Sequence, residues 1–233
     1  MNGNFSGIRV AVDILFLTVQ GRRLKLLLSR RREPPAEGQW ALPGCFIGAE
    51  ESAEEAVRRL TDEMLPGAKA YYEQLYTFSR ADRDARGRVI SIAYVAIVPR
   101  SRLEGLLPAS MMTRFEAQVC DGRLSLRAEE GEKPDPLAFD HGEIVSTGIR
   151  RLQGKIGYTD IGLRFLNDPH SFTMAELEGV FEAISGEKAD KSNFRRFIRS
   201  RFEENGKIVP TGQYVRQNRG RPAMLYDWTE REA

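Results

Sequence analysis

Glu51, Glu55, Arg59 and Glu63 recur at four-residue intervals just behind a glycine-bearing loop, Leu42-Pro43-Gly44-Cys45-Phe46-Ile47-Gly48. On a helix that spacing lines them up as one charged stripe. Spaced carboxylates next to such a loop can hold Mg²⁺ against a pyrophosphate, because hard oxygen ligands suit the ion and the ion neutralises phosphate charge. The same stripe also reads as a solvated face carrying intrahelical ion pairs. The helix itself is expected from Ala53, Ala56, Val57, Leu60 and Met64, which recur at helical spacing and define an apolar face. Ser52 is placed to cap it, with Glu55 three residues on, as a capping box requires.

Gly38, Trp40, Ala41, Leu42, Pro43, Gly44 and Phe46, followed by Glu51 and the helix, resemble the Nudix box and its lead-in. The Nudix family hydrolyses nucleoside diphosphates linked to another moiety. Its box runs Gly, five residues, Glu, seven residues, then Arg-Glu-aliphatic-x-Glu-Glu-x-Gly-aliphatic. The copy here departs from that pattern. Aligned without gaps from Leu42-Pro43-Gly44, Cys45 replaces the box glycine, Glu51 is the first glutamate and Arg59 the arginine. Leu60 and Met64 stand where glutamates belong, Glu63 is kept, and Pro66 replaces the late glycine. A register shifted by one residue uses Gly44, Glu50, Arg58, Asp62 and Glu63, but puts Arg59 at a glutamate position and turns the apolar face away. The first register is preferred. Either way at least one expected metal ligand is missing, which implies weakened Mg²⁺ binding and lost nucleophile activation. The resemblance thus implies a pocket that binds a nucleotide without cleaving it.

The chain of 233 residues is long enough for one large domain or two smaller ones. Lys and Arg total 35 against 33 Asp and Glu, so bulk charge names no partner and any nucleic-acid surface has to come from clustering. Cys45 and Cys120 are too few and too far apart for a disulfide framework or a zinc site. With no signal-peptide pattern and no apolar stretch of membrane-spanning length, a cytoplasmic protein with no membrane partner is expected.

Residues 8–19 and 24–28 form apolar runs around Gln20-Gly21 and predict a hairpin in a buried sheet. Arg30, Arg31 and Arg32 follow, a solvated edge by default; where Nudix proteins often carry a basic residue, Arg31 implies phosphate or ribose contact. Residues 71–78 and 89–98 read as strands around a polar loop, and residues 116–127 as a hairpin turning at Asp121-Gly122. A short helix is expected over 102–107, and a longer one opens near Asp140-His141 with Ile144, Ile149 and Leu152 inward. His141 is read as structural. Thr173 caps a helix over 174–184 that Gly186 ends, and Asp190 caps a second over about 191–202. Lys188, Lys191, Arg195, Arg196, Arg199 and Arg201 crowd that second helix; a hairpin with a basic turn at residues 218–222 follows. Two helices, the second basic, then a basic hairpin make the winged helix-turn-helix pattern, in which the second helix enters the major groove and the wing reaches phosphates or the minor groove. A solvated basic face is the competing interpretation.

Several strings resemble the Nudix-related transcriptional regulators of NAD metabolism, the NrtR family. They are Glu73-Gln-Leu-Tyr-Thr-Phe78, Arg83-Asp-Ala-Arg-Gly-Arg-Val-Ile-Ser-Ile-Ala-Tyr94, the segment 151–167, Lys191-Ser-Asn-Phe-Arg-Arg196 and Gly220-Arg-Pro-Ala-Met-Leu-Tyr226. The resemblance implies an N-terminal Nudix-like α/β/α sandwich over 1–150, a junction over 151–172 and a winged helix over 173–233. It further implies a homodimeric repressor of double-stranded operator DNA, with ADP-ribose or a related nucleotide or sugar as effector. Candidate effector contacts are Arg31, Trp40, Glu51, Arg59, Glu63 and Arg83; Trp40 reads equally as a core residue, and Glu51 with Arg59 as a tie between loop and helix. Candidate DNA contacts are Lys191, Asn193, Arg195, Arg196 and Arg199 on the helix and Arg219 and Arg221 on the wing. No catalytic residue, metal ligand or required cofactor is assigned, and Mg²⁺ is left open. An active Nudix hydrolase and a pentose-responsive regulator are the alternatives.

Overall fold

The computed structural model describes residues 7–104, 112–128, 136–216 and 221–229. The fold is built around β1 (Arg9–Gln20), whose Val12, Ile14 and Phe16 face one side and Leu15 and Leu17 the other, all fully buried. A strand buried on both faces needs a layer on each. One layer is α1 (Ala53–Met64), which packs Ala56, Val57 and Leu60 against the first set. The other is α3 (His141–Lys155), which lays Ile144, Val145, Ile149 and Leu152 on the second. Gly148 lets α3 approach closely, since a Cβ there would stand 2.5 Å from Leu15.

Within the sheet β1 runs parallel to β6 (Val89–Ile97) and antiparallel to β2 (Arg23–Arg30). β5 (Tyr71–Phe78) extends one side of the sheet, and β7 (Met112–Cys120) with β8 (Arg123–Ala128) extends the other. Two short strands, β3 (Trp40–Ala41) on β2 and β4 (Gly44–Phe46) on β1, carry the Leu-Pro-Gly loop. The β1–β2 turn lies at Gly21-Arg22, both with positive φ (56° and 61°), one residue beyond the expected Gln20-Gly21. Two consecutive left-handed residues form the hairpin turn whose twist matches the strands. Asp121-Gly122 turns β7 into β8 the same way. The short helix α2 covers Arg100–Leu103; of the span expected for it, residues 105–107 lie outside the described residues.

α3 continues through residue 150 to Lys155, so the domain boundary expected there would fall inside a helix. A 3-10 turn (Ile161–Phe165) then leads to β9 (Phe172–Thr173), the first element of the second module. Thr173 caps α4 (Met174–Ser185) with a full capping box, and Gly186 ends it at φ 78°. Asp190 accepts from the Asn193 amide at 2.8 Å and opens α5 (Lys191–Ile198), which runs into a π-helical turn (Arg199–Glu203). The pair β10 (Ile208–Val215) and β11 (Ala223–Trp228) joins β9 in a three-stranded sheet of order β10-β11-β9. Phe181, Phe194, Phe197 and Phe202 pack ring to ring between the helices. Among the described residues no helix is long and apolar enough to cross a membrane.

Candidate functional site

β1, β4, the loop 79–88 and the start of α3 meet around a pocket of about 120 Å³. Its floor is an ionic cluster. The Arg83 guanidinium donates to both Asp140 oxygens at 2.9 and 2.7 Å and to Asp13 at 3.3 Å. Ser91 donates to Asp13 at 2.6 Å, and His141 Nε2 stands 3.6 Å from the same carboxylate. The Arg83 side chain is only 4% exposed, so it forms the wall of the pocket rather than its opening. Burial works against its charge, but the bond to Asp140 and the field of Asp13 more than offset that and hold the guanidinium protonated. His141 Nδ1 accepts the Leu42 amide at 2.9 Å, which fixes the tautomer with the proton on Nε2, facing Asp13. Burial lowers its pKa, so the ring is neutral and ties the Leu-Pro-Gly loop to α3, the structural role expected of it.

Above this floor the walls are cationic and aromatic. The Arg31 guanidinium lies 4.8 Å from the Phe139 ring centre, and Arg86 lies 5.3 Å from Phe139 and 5.4 Å from Phe46. Arg9 covers Phe46 at 4.7 Å. Asp84 grips Arg86 with bonds as short as 2.6 Å. Arg31 donates to the Pro35 and Glu33 carbonyls at 2.8 and 3.2 Å; among the described residues no carboxylate pairs with it. Burial and then the neighbouring charge of Arg86 lower its pKa, against the opposing fields of Asp84, Glu33 and Asp13. Phe139 holds φ at 54°, a conformation that bulky L-residues rarely adopt.

Glu51, Arg59 and Glu63 form a separate group beside the pocket. Arg59 donates to both Glu51 oxygens at 2.7 and 2.9 Å, approaches Glu63 at 3.5 Å and reaches the Phe46 carbonyl at 3.4 Å. Those bonds, with the Gly48 amide, hold the Glu51 carboxyl down at about 2. Leu60 is buried under the sheet, and Glu50 and Arg58 of the shifted register are exposed. The donor set does not suit Mg²⁺: Arg59 occupies Glu51, Leu60 and Met64 supply no oxygen, and among the described residues no three His, Cys, Asp or Glu side chains are grouped for a metal. Trp40 stands outside the pocket. Its ring packs edge-on against Phe115 at 5.0 Å in the core, while its carbonyl accepts the Ala138 amide at 2.8 Å.

The structure therefore brings Arg31 and Arg83 to one pocket, sets Glu51, Arg59 and Glu63 beside it and turns Trp40 inward. Arg86, Phe139, Asp13 and Asp140 were missed. Arg86 sits in the polar loop already singled out, and Phe139 just ahead of the predicted helix start. Nothing local marks either as a pocket residue, because three distant segments must fold together to make the site.

On the second module, Lys191, Asn193, Arg195 and Arg196 of α5 and Arg199 just after it are all exposed, while Phe194 and Ile198 of the same helix are buried. Asn193 accepts from Arg196 at 2.8 Å, which presets that guanidinium. Arg221 is exposed at the hairpin; Arg219 lies outside the described residues.

An α/β sandwich with an arginine-lined pocket, joined to a winged helix with a free basic face, defines a ligand-binding domain fused to a DNA-binding module. Comparison with known proteins agrees. Residues 7–116 match the NUDIX domain, and residues 168–228 match the NrtR DNA-binding winged helix domain. The chain is 29% identical over 219 residues to the ADPR responsive transcriptional repressor NtrR of Acinetobacter baylyi, covering 93% of this chain and 80% of that one. It is 32% identical over 133 residues to an ADP-ribose pyrophosphatase of Methanocaldococcus jannaschii, covering 56% of this chain and 69% of the relative. The crystal structure of Shewanella oneidensis NrtR complexed with a 27mer DNA superposes with a TM-score of 0.74 at 30% identity, covering 94% and 93% of the two chains. The chain belongs to the NrtR family of Nudix-related transcriptional regulators.

Proposed function

We propose that this chain is a transcriptional repressor that holds double-stranded operator DNA with its winged helix and responds to ADP-ribose bound in the Nudix pocket. The observation that carries this is the convergence of Arg31 and Arg86 with the Phe46 and Phe139 rings. Two guanidinium groups, held against those rings, suit a pyrophosphate. At about 120 Å³ the pocket is smaller than the ~300 Å³ minimum usual for a small-molecule site, so it takes the diphosphate as it stands and opens for the rest. The likeness to the Acinetobacter repressor, whose name records a response to ADPR, supports the choice of ligand. The effector contacts are Arg31 and Arg86, with Arg83 holding the wall, and Glu51, Arg59 and Glu63 tying the loop 47–51 to α1. The DNA contacts are Lys191, Asn193, Arg195, Arg196 and Arg199, with Arg219 and Arg221 from the wing.

The effector domain runs to the end of α3 and the DNA-binding domain starts at about residue 168, where the winged helix match begins. The repressor works as a homodimer in the cytoplasm, since a two-fold operator presents two half-sites. No cofactor is required, and the pocket does not hydrolyse its ligand: Arg59 engages Glu51, and Leu60 and Met64 bring no oxygen to a metal. The pyrophosphatase relative favours the opposite outcome, cleavage of ADP-ribose. Purified protein with Mg²⁺ and a panel of nucleotide sugars and pentoses, followed for turnover and thermal shift, separates these. A thermal shift with ADP-ribose and no turnover is expected. Turnover of ~1–1000 per second makes it a hydrolase, and a shift with a pentose alone moves the effector to a sugar.

A further inference from the structure

We propose that Arg22, at the tip of the β1–β2 hairpin, is the latch through which the effector pocket sets the position of the winged helix. This rests on the repressor function proposed above and names the part that couples its two halves. The Arg22 guanidinium reaches α4 and bonds Glu178 at 3.2 Å, Glu182 at 2.5 Å and the Ala175 carbonyl at 3.3 Å. The two carboxylates are well shielded, with side chains 10% and 14% exposed, and Arg22 bonds both. Burial works against the charge of Glu182, and the Arg22 bond, the Ala189 amide at 3.0 Å and the charges of Arg22 and Lys188 together outweigh it.

Two local preferences are broken at this one contact. Arg22 holds φ at 61°, in a hairpin position that glycine or asparagine fills more easily. Gly179 lies in the interior of α4, where glycine is a poor helix former, and a Cβ there would stand 3.0 Å from Arg22 Cγ. The hairpin keeps an arginine where the backbone favours glycine, and the helix keeps a glycine where the arginine stem lies. Local structure explains neither residue; their contact explains both.

The other end of the same hairpin is the pocket. Ala11 and Asp13 of β1 and Arg31, next after β2, line it. From Asp13 to its end at Gln20 the strand covers seven residue steps, about 23 Å at ~3.3 Å each, and Arg22 follows in the turn. A ligand that draws on Arg31 and opens the pocket therefore acts on a stiff ribbon whose tip grips α4. A cleft of about 450 Å³, lined by Gln20, Arg22, Gly179 and Arg216, separates that tip from the end of β10 and leaves α4 room to shift. A second tie, from Arg201 after α5 to the Tyr158 carbonyl after α3, supplies the pivot. Lateral movement of α4 carries α5 with it and misplaces the recognition helix on its half-site.

The test uses full-length protein, ADP-ribose and an operator duplex recovered by selection from random-sequence DNA. Operator affinity is measured by anisotropy with and without saturating ADP-ribose, and ADP-ribose affinity by calorimetry. Wild type should show coupling in the usual ~5–150-fold range. In Arg22→Ala, and separately in Glu178→Gln/Glu182→Gln, ADP-ribose should bind as in wild type while coupling falls below about twofold. The charge swap Arg22→Glu/Glu182→Arg should restore part of it, which a merely structural role would not produce. Where Arg22→Ala does not fold, the paired glutamine variant decides. Wild-type coupling in these variants overturns the latch and leaves the repressor function standing. Absence of coupling in wild type overturns both.

Discussion

Replacing Arg83 by methionine separates a wall residue from a ligand contact. The guanidinium sits between Asp13 and Asp140, with side chains 9% and 3% exposed, and is itself 4% exposed. Its removal leaves two shielded carboxylates facing each other without a cation. Breaking a buried pair in this way costs about 3–5 kcal/mol, because the desolvation of the remaining charge is no longer offset. For a chain of 233 residues each kcal/mol moves Tm by roughly 2–4 °C, so a fall of roughly 6–20 °C follows. Removing all three charges, Arg83→Met with Asp13→Asn and Asp140→Asn, should recover most of the loss, since neutral side chains carry no desolvated charge. Urea denaturation followed by tryptophan fluorescence measures both variants. A loss below about 1 kcal/mol in Arg83→Met, together with abolished ADP-ribose binding, would refute the wall assignment and make Arg83 a direct contact.

Arg31→Ala should weaken ADP-ribose binding by about 10–150-fold, the worth of a charge-assisted bond of ~1.5–3 kcal/mol, read by calorimetry; stability should change by less than about 1 kcal/mol, since Arg31 bonds only carbonyls. His141 titrates below its ordinary 6.5 in the folded state, so its contribution is complete above about pH 6.5 and is lost as pH falls toward the folded pKa. Stability from urea melts should therefore drop on acidification below 6.5, with a slope of at most ~1.4 kcal/mol per pH unit from this group. In His141→Asn, which keeps an acceptor for the Leu42 amide, that limb should vanish; an unchanged limb assigns it elsewhere. Arg196→Ala should cost about 1–3 kcal/mol in operator affinity if the side chain reads a base, whereas a phosphate contact shows as a uniform loss with a shallower salt dependence.

Much of the fold was legible because its determinants are local. The Ser52–Glu55 capping box, the Asp121-Gly122 turn, the Gly186 stop and the Asp190 cap each depend on a few adjacent residues, and all formed. The β1–β2 turn slipped by one residue because Gln20 still pairs with Arg23 across the ladder, which leaves Arg22 to take the left-handed position. The site was less legible. Its floor joins Asp13, Arg83 and Asp140, and no periodicity relates residues that far apart. Trp40 is ambiguous by type, and packing on Phe115 decided it. Glu51 lies ahead of the Ser52 cap rather than on the helical stripe, so its tie to Arg59 depends on how the loop folds back over α1 and not on helical spacing. On α5 the pattern was nearly complete in the sequence, because a short amphipathic helix with aromatic residues on one side and arginines on the other has one way to pack.

In the proposed repressor one chain joins an ADP-ribose pocket to an operator-binding surface so that each ligand weakens the other. Titrating ADP-ribose into the wild-type protein, with and without saturating operator, measures that linkage directly. Operator should lower ADP-ribose affinity by the same factor, in the ~5–150-fold range, by which ADP-ribose lowers operator affinity. Tight ADP-ribose binding that is identical in the two titrations would contradict it.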